Sequence, residues 1–225
     1  SSSTAMGFGT TASGLASTAM GYEAIASGNY SKAIGVATIA SGDYSTAMGA
    51  NTEASGITSL AMGWSTTASG SSSTAMGDYT SASGGASLAM GYSTIAIGNY
   101  STAMGHSTIT SGSYSTAMGR ATRASDRSSL VIGEYNLTGS TVTTSATEFS
   151  LDNTAFVIGN GADSDNRSDA LVVKFNGDAT LTGNLNINSD ARLKANIVSL
   201  GSTLSKLLQI DGKSYTMKKD ESEKQ

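Results

Sequence analysis

Ser73-Thr74-Ala75-Met76-Gly77-Asp78-Tyr79-Thr80-Ser81-Ala82-Ser83-Gly84-Gly85-Ala86 is one copy of a fourteen-residue unit, S-T-A-M-G-x-x-T-x-A-S-G-x-x. Outward from it, earlier copies begin at Ser3, Ser17, Ser31, Ser45 and Ser59, and later ones at Ser87, Ser101, Ser115 and, degraded, Ser129. A fixed period of this kind means one short element stacked many times, with each copy touching its two neighbours. The expected product is a rigid rod, not a chambered enzyme.

The unit divides into two halves, S-T-A-M-G and T-x-A-S-G, each followed by two variable residues. A seven-residue half-period would suit a coiled coil, but Gly recurs in every half and there is no apolar a/d seam. Two short strands joined by tight turns fit better, with the Gly that closes each half supplying backbone freedom for the turn. Coils stacked about 4.8 Å apart, with their backbones paired in ladders, give a rod near 50 Å long.

Alternation along a strand puts Thr4 and Met6 on one face and Ser3 and Ala5 on the other. Met6, Met20, Ile34, Met48, Met62, Met76, Met90, Met104, Met118 and Ile132 form the one large apolar column, which is expected to be the core. Thr10, Thr38, Thr52, Thr66, Thr80, Thr94, Thr108 and Thr122 should join it, together with Ala12 and its equivalents. The opposite column is Ala5, Ala19, Ala33, Ala47, Ala61, Ala75, Ala89, Ala103, Ala117 and Val131. A flat alanine face on every coil is expected to pack against another subunit, because the core assigned above is thin.

Variation concentrates at the turns. The residue after the first Gly is Phe8, Tyr22, Val36, Ala50, Trp64, Asp78, Tyr92, His106, Arg120 and Glu134 in turn, and the last residue of the unit is Tyr30, Tyr44, Tyr100 and Tyr114 in four copies. Tyr22, Tyr30, Tyr44, Trp64, Tyr92, Tyr100 and Tyr114 are therefore candidate contacts for a glycan or receptor, or else stacked covers for the turns. Arg120, Arg123 and Arg127 cluster where Asp126 replaces the expected Gly, which suits a polar cap on the stack.

Composition narrows the function. Charged residues are 13%, the net charge is −4, and there is no Cys or Pro. Without Cys there is no disulfide framework and no thiolate site, and the acidic balance disfavours nucleic acid as a partner. His106 is the only His, so no catalytic triad or His-rich metal site can be built within one chain. No cofactor and no metal are expected, and no apolar run is long enough to span a bilayer. The chain begins inside the pattern without an initiator Met, as a fragment or processed product would.

After Gly139 the repeat gives way to strand-like runs at Ala155–Ile158, Ala170–Phe175 and Ala179–Ile187, with a turn at Asn176-Gly177-Asp178. The stretch from Asp163 to Asp169 has oxygen ligands at near-calcium spacing, but it lacks the Gly and terminal Glu of an EF-hand and is expected to be a polar loop. The segment Ser189-Asp190-Ala191-Arg192-Leu193-Lys194-Ala195-Asn196-Ile197 is followed by an L-x-x-L…G-x-x-Y-x-M-K pattern. There Leu204, Leu207 and Leu208 fit one face of a short helix.

The S-x-A-[MI]-G-x-x-[ST]-x-A-x-G pattern over residues 3–139 resembles the head repeats of trimeric autotransporter adhesins of the YadA-like kind. That resemblance implies an all-β, left-handed parallel β-roll and a homotrimer. Met in place of the more usual Ile is expected to matter only for packing. The S-D-x-R-L-K-x-N-I motif resembles the start of the peptidase S74 intramolecular chaperone domain of phage tail fibres and bacterial surface fibres. It implies autoproteolysis between Ser189 and Asp190, with Ser189 as nucleophile and Lys194 as its base. Only 36 residues follow Ser189, so a truncated or uncleaving segment is expected.

The expected organisation is 1–139 β-roll repeats, 140–188 transitional β segment and 189–225 the beginning of a chaperone domain. The expected function is a structural fibre or adhesin head, extracellular on a virion, tail-like particle or cell, that binds a host-surface receptor or glycan. Two alternatives stand beside it: a self-cleaving chaperone fragment that trimerises a fibre, and an ice-binding solenoid built on its threonines.

Overall fold

The computed structural model describes residues 2–138 and 145–185. The chain divides into two compact units at Asn184/Leu185, and the first of them holds the repeats. Among the described residues there is no helix, and the strands form a β-solenoid. Each coil contributes one five-residue strand and one two-residue strand, beginning with β1 (Thr4–Phe8) and β2 (Thr11–Ala12) and ending with β18 (Arg123–Ala124) and β19 (Leu130–Glu134). The long, odd-numbered strands pair in parallel in one sheet and the short, even-numbered strands in a second. The register never slips: Ala75 lies beside Ala61 and Ala89, and Met76 beside Met62 and Met90.

Two glycine columns allow this stacking, for different reasons. Gly77, with φ +115°, lies where L side chains are strained, and a Cβ there would be driven into the carbonyl oxygen of Gly91. Gly70 has ordinary backbone angles and is required by approach alone, since its Cβ would strike the carbonyl of Gly84. The turns themselves are left-handed at non-glycine residues, among them Tyr30 (φ 58°), Thr58 (φ 56°) and Tyr79 (φ 54°). Each such residue costs about 1 kcal/mol or more in isolation. The ladder holds them there: Tyr30 N–H donates to Leu15 C=O at 2.7 Å and Tyr79 N–H to Trp64 C=O at 2.9 Å, and the same bond recurs at both turns of successive coils.

The two faces of the long strand are the reverse of the sequence expectation. Ala19, Ala33, Ala47, Ala61, Ala75, Ala89, Ala103 and Ala117 are 0% exposed within a single chain, as is Val131. They form the core with the alanines of the short strand, so they are not available as an intersubunit face; Ala5, in the first coil, is exposed. The methionine column points outward. Met6 and Met62 are 59% and 38% exposed, and Met20, Ile34, Met48, Met76, Met90, Met104, Met118 and Ile132 are half-buried. The cause is steric. A five-residue strand facing a two-residue strand across two tight turns leaves a gap filled by Ala against Ala, too narrow for an unbranched thioether. The threonine column is inside as expected, with Thr38, Thr52, Thr66, Thr80, Thr94, Thr108 and Thr122 buried.

The solenoid sheet continues past the last regular unit. β20 (Thr154–Asn160) pairs in parallel with β19, matching Val131 to Val157, Ile132 to Ile158 and Gly133 to Gly159. It is an eleventh copy of the long strand, reached after an insertion. β21 (Asp169–Lys174) and β22 (Ala179–Leu181) then add antiparallel strands, with the expected turn at Asn176–Asp178 between them. The sheet thus runs across the boundary expected at 139/140.

Gly77→Ala should lower stability by about 2 kcal/mol or more, because strain and backbone collision act together. Gly183→Ala, where a Cβ meets nothing within 4 Å, should be neutral. Thermal unfolding followed by circular dichroism compares them.

Candidate binding surface

The turns form two rims along the solenoid, and the aromatic residues lie on them in runs. On one rim Tyr30 stacks on Tyr44 at 5.0 Å and 6°, and Tyr100 on Tyr114 at 4.9 Å and 9°. On the other, Phe8 stacks on Tyr22 at 5.3 Å, and Tyr92 on His106 at 5.0 Å. The tyrosines are about half exposed and Phe8, in the first coil, more so. Such ladders stiffen the turns by about 0.5–1.5 kcal/mol per pair beyond area burial. Between Trp64 and Tyr92 the pattern changes. Tyr79, one residue further along its turn, lies 5.8 Å from Trp64 at 35° and 6.0 Å from Tyr92 at 73°. Tyr79 was not among the sequence-derived candidates because it occupies the second variable position of the turn, where no other regular coil carries an aromatic.

The rims also carry polar ladders. Asn29 and Asn99 accept hydrogen bonds through Oδ1 from the backbone N–H groups of Leu15 and Gly85, one coil earlier, at 3.0 and 2.8 Å. Asp43 does the same for Asn29, at 2.8 Å.

At the end of the stack the arginine cluster is used internally. Asp126 takes the last place in a glycine column, and its Oδ2 accepts Thr154 N–H at 2.8 Å. Asn136, fully buried, stands where Thr122 stands one coil earlier. Its side-chain amide replaces the peptide group of a missing short strand: Oδ1 accepts Arg123 N–H at 2.8 Å, and Nδ2 donates to Arg123 C=O at 3.1 Å. Arg127 donates to Thr147 C=O and lies 5.0 Å from the Tyr114 ring. Arg167 donates to the carbonyls of Ala121 and Asn136 and lies over Tyr135, as does Arg120. These contacts make a polar cap.

The calcium-like stretch satisfies itself. Asp163 Oδ1 accepts from Asp165 N–H, Asn166 N–H and the Asn166 side chain. The Asn166 side-chain bond, followed by the backbone bonds, holds the Asp163 carboxyl below the usual carboxylate range. Among the described residues no group of three or more His, Cys, Asp or Glu is placed to hold a metal. Ser189, Asp190 and Lys194 lie outside the described residues.

The YadA head domain repeat, a family of known proteins, matches residues 1–24, 12–31, 26–52, 54–80, 82–108 and 111–133, more than half of the sequence. The chain belongs to the YadA head-repeat family. Residues 189–225 match a second family, the peptidase S74 chaperone of endosialidase. No curated protein matches the chain. The YadA-head matches end at 133, within β19, so the cap built from Asn136, Arg167 and β20 lies beyond the repeat proper.

Asn136→Ala should cost about 1–3 kcal/mol, because it removes the buried side chain that pairs both backbone groups of Arg123. Hydrogen exchange should show the loss first at the final coil, with the early coils protected as before.

Proposed function

We propose that this chain is the rigid part of a homotrimeric fibre, projecting from a virion, tail-like particle or bacterial surface and serving attachment. One observation carries the reading. The interior is closed by alanine within each chain, yet the long-strand sheet leaves a continuous outward column of Met with Leu60, Leu88 and Leu130 beside it. A soluble surface rarely leaves so long an apolar stripe uncovered. Three copies related by a threefold axis would bury it, so the intersubunit face is the methionine face, in place of the alanine face expected from sequence.

The aromatic rims, including Tyr22, Tyr30, Tyr44, Trp64, Tyr92, Tyr100 and Tyr114, remain the candidate surface for a host receptor or glycan. Their side chains vary from coil to coil while the interior does not. The ice-binding alternative loses its surface, since the regular threonine column is buried. The outward column next to methionine mixes Thr with Lys32, Leu60 and Leu88. Among the described residues no helix is long and apolar enough to cross a membrane.

Analytical ultracentrifugation should give three chain masses, and a monomer or dimer would overturn the trimer. Met76→Asp with Met90→Asp should yield monomers at concentrations where the parent chain is trimeric. Burying unpaired carboxylates weakens association by about 2 kcal/mol or more.

The match of residues 189–225 to the S74 chaperone family supports a second reading, that this segment aligns three chains during assembly. Ser189 and Lys194 would form its cleavage dyad, attacking the bond before Asp190. In gel mobility the chain, Ser189→Ala and Lys194→Ala should all run as one uncut band. A shorter product from the parent that disappears in both variants would instead establish autoproteolysis.

A further inference from the structure

We infer that Trp64, Asp78, Tyr79 and Tyr92 form a binding site for a neutral saccharide; the inference deepens the attachment reading above and rests on it. Elsewhere on the rims aromatic rings occur in parallel pairs whose faces cover one another. Here strand register sets Asp78 directly between Trp64 and Tyr92, replacing the ring that would continue the stack. Tyr79 leaves the next turn position and stands nearly edge-on to Tyr92, at 73°. His106 stacks on Tyr92, but Tyr79 meets Trp64 at 35° and Tyr92 at 73°, so neither of those contacts covers a ring face as the regular ladders do. The three rings are 51%, 49% and 47% exposed. Asp78 stands beside Trp64 and Tyr92 in the strand register, exposed, with no hydrogen-bond or ionic partner among the described residues.

This combination suits a pyranose. The C–H face of the sugar packs on an aromatic face, and a carboxylate accepts hydrogen bonds from two neighbouring hydroxyls. Two coil steps span about 10 Å, room for two sugar units along the rim. Asp78 and the chain's net charge of −4 disfavour acidic sugars. A quaternary ammonium ion needs rings spread around it, whereas these centroids are 5.8 and 6.0 Å apart, in contact with each other.

Trp64 is the only tryptophan in the sequence, so its fluorescence reports this site alone. Titration of the full chain with neutral oligosaccharides of glucose, galactose and N-acetylglucosamine should shift or quench the emission with at least one of them. An oligosialic acid and choline should leave it unchanged. Asp78→Ala and Tyr79→Ala should each weaken binding about tenfold, Tyr79→Phe should retain most of it, and Ile57→Ala, exposed on the other rim, should have no effect. Circular dichroism confirms that each variant is folded. No response to any neutral sugar, a response to choline instead, or unchanged affinity in folded Tyr79→Ala would overturn the site. If the sugar binds but cell attachment survives Asp78→Ala, the site stands and attachment uses another face. If attachment fails in the parent chain while the sugar binds, the attachment reading falls and the site remains.

Discussion

Axial contact between successive coils governs this molecule. The backbones stack so closely that neither glycine column can carry a Cβ, and that closeness aligns every ladder hydrogen bond with its neighbour one coil away. Once those bonds are in place, the left-handed turn residues lose their alternatives. A tyrosine or threonine at φ near 55° is tolerated because its N–H is already committed to the previous coil. The same contact fixes the side-chain columns, since residues fourteen apart must lie above one another. Aromatic stacking, the Asn and Asp ladders and the alanine core are all consequences of one register.

That register made much of the fold legible from sequence. The period, the two strands per coil, the parallel stacking, the buried threonines and the paired Tyr30/Tyr44 and Tyr100/Tyr114 rings all follow from position within the unit. Which face of the long strand points inward did not. Hydrophobicity alone favoured methionine for the interior, but the interior width is set by the two-residue strand and its turns, and that width is filled by small side chains, chiefly Ala, Ser and Thr. The clue was present in the unit itself: its short strand offers an Ala, with no large partner for Met76. Volume, more than hydrophobicity, decides the facing in so narrow a solenoid.

The cap was harder to read because it borrows the repeat without its spacing. Val157-Ile158-Gly159 repeats Val131-Ile132-Gly133, yet the insertion between them breaks the period that drew attention to the other copies. Asn136 could not be anticipated by pattern at all. It acts as a peptide group through its side chain, a role visible only when Arg123 is seen with both backbone groups directed at one amide. Tyr79 escaped for a related reason, because its ring reaches the run between Trp64 and Tyr92 from a different turn position.

The copies within one chain also act as internal replicates, since each position meets nearly the same surroundings many times. Positions facing the interior hold one residue type almost throughout, and the last regular coil, whose long strand is followed by β20, is where Val131 replaces Ala beside Val157. The position after the first glycine takes Phe, Tyr, Val, Ala, Trp, Asp, His, Arg and Glu in a single molecule. Stacking therefore imposes almost nothing at that point of the rim. Where folding imposes nothing, a departure from the local habit of paired rings calls for another physical reason. The replacement of a ring by Asp78, with Tyr79 turned across the gap, is such a departure, and it lies among mid-stack coils where no end effect operates.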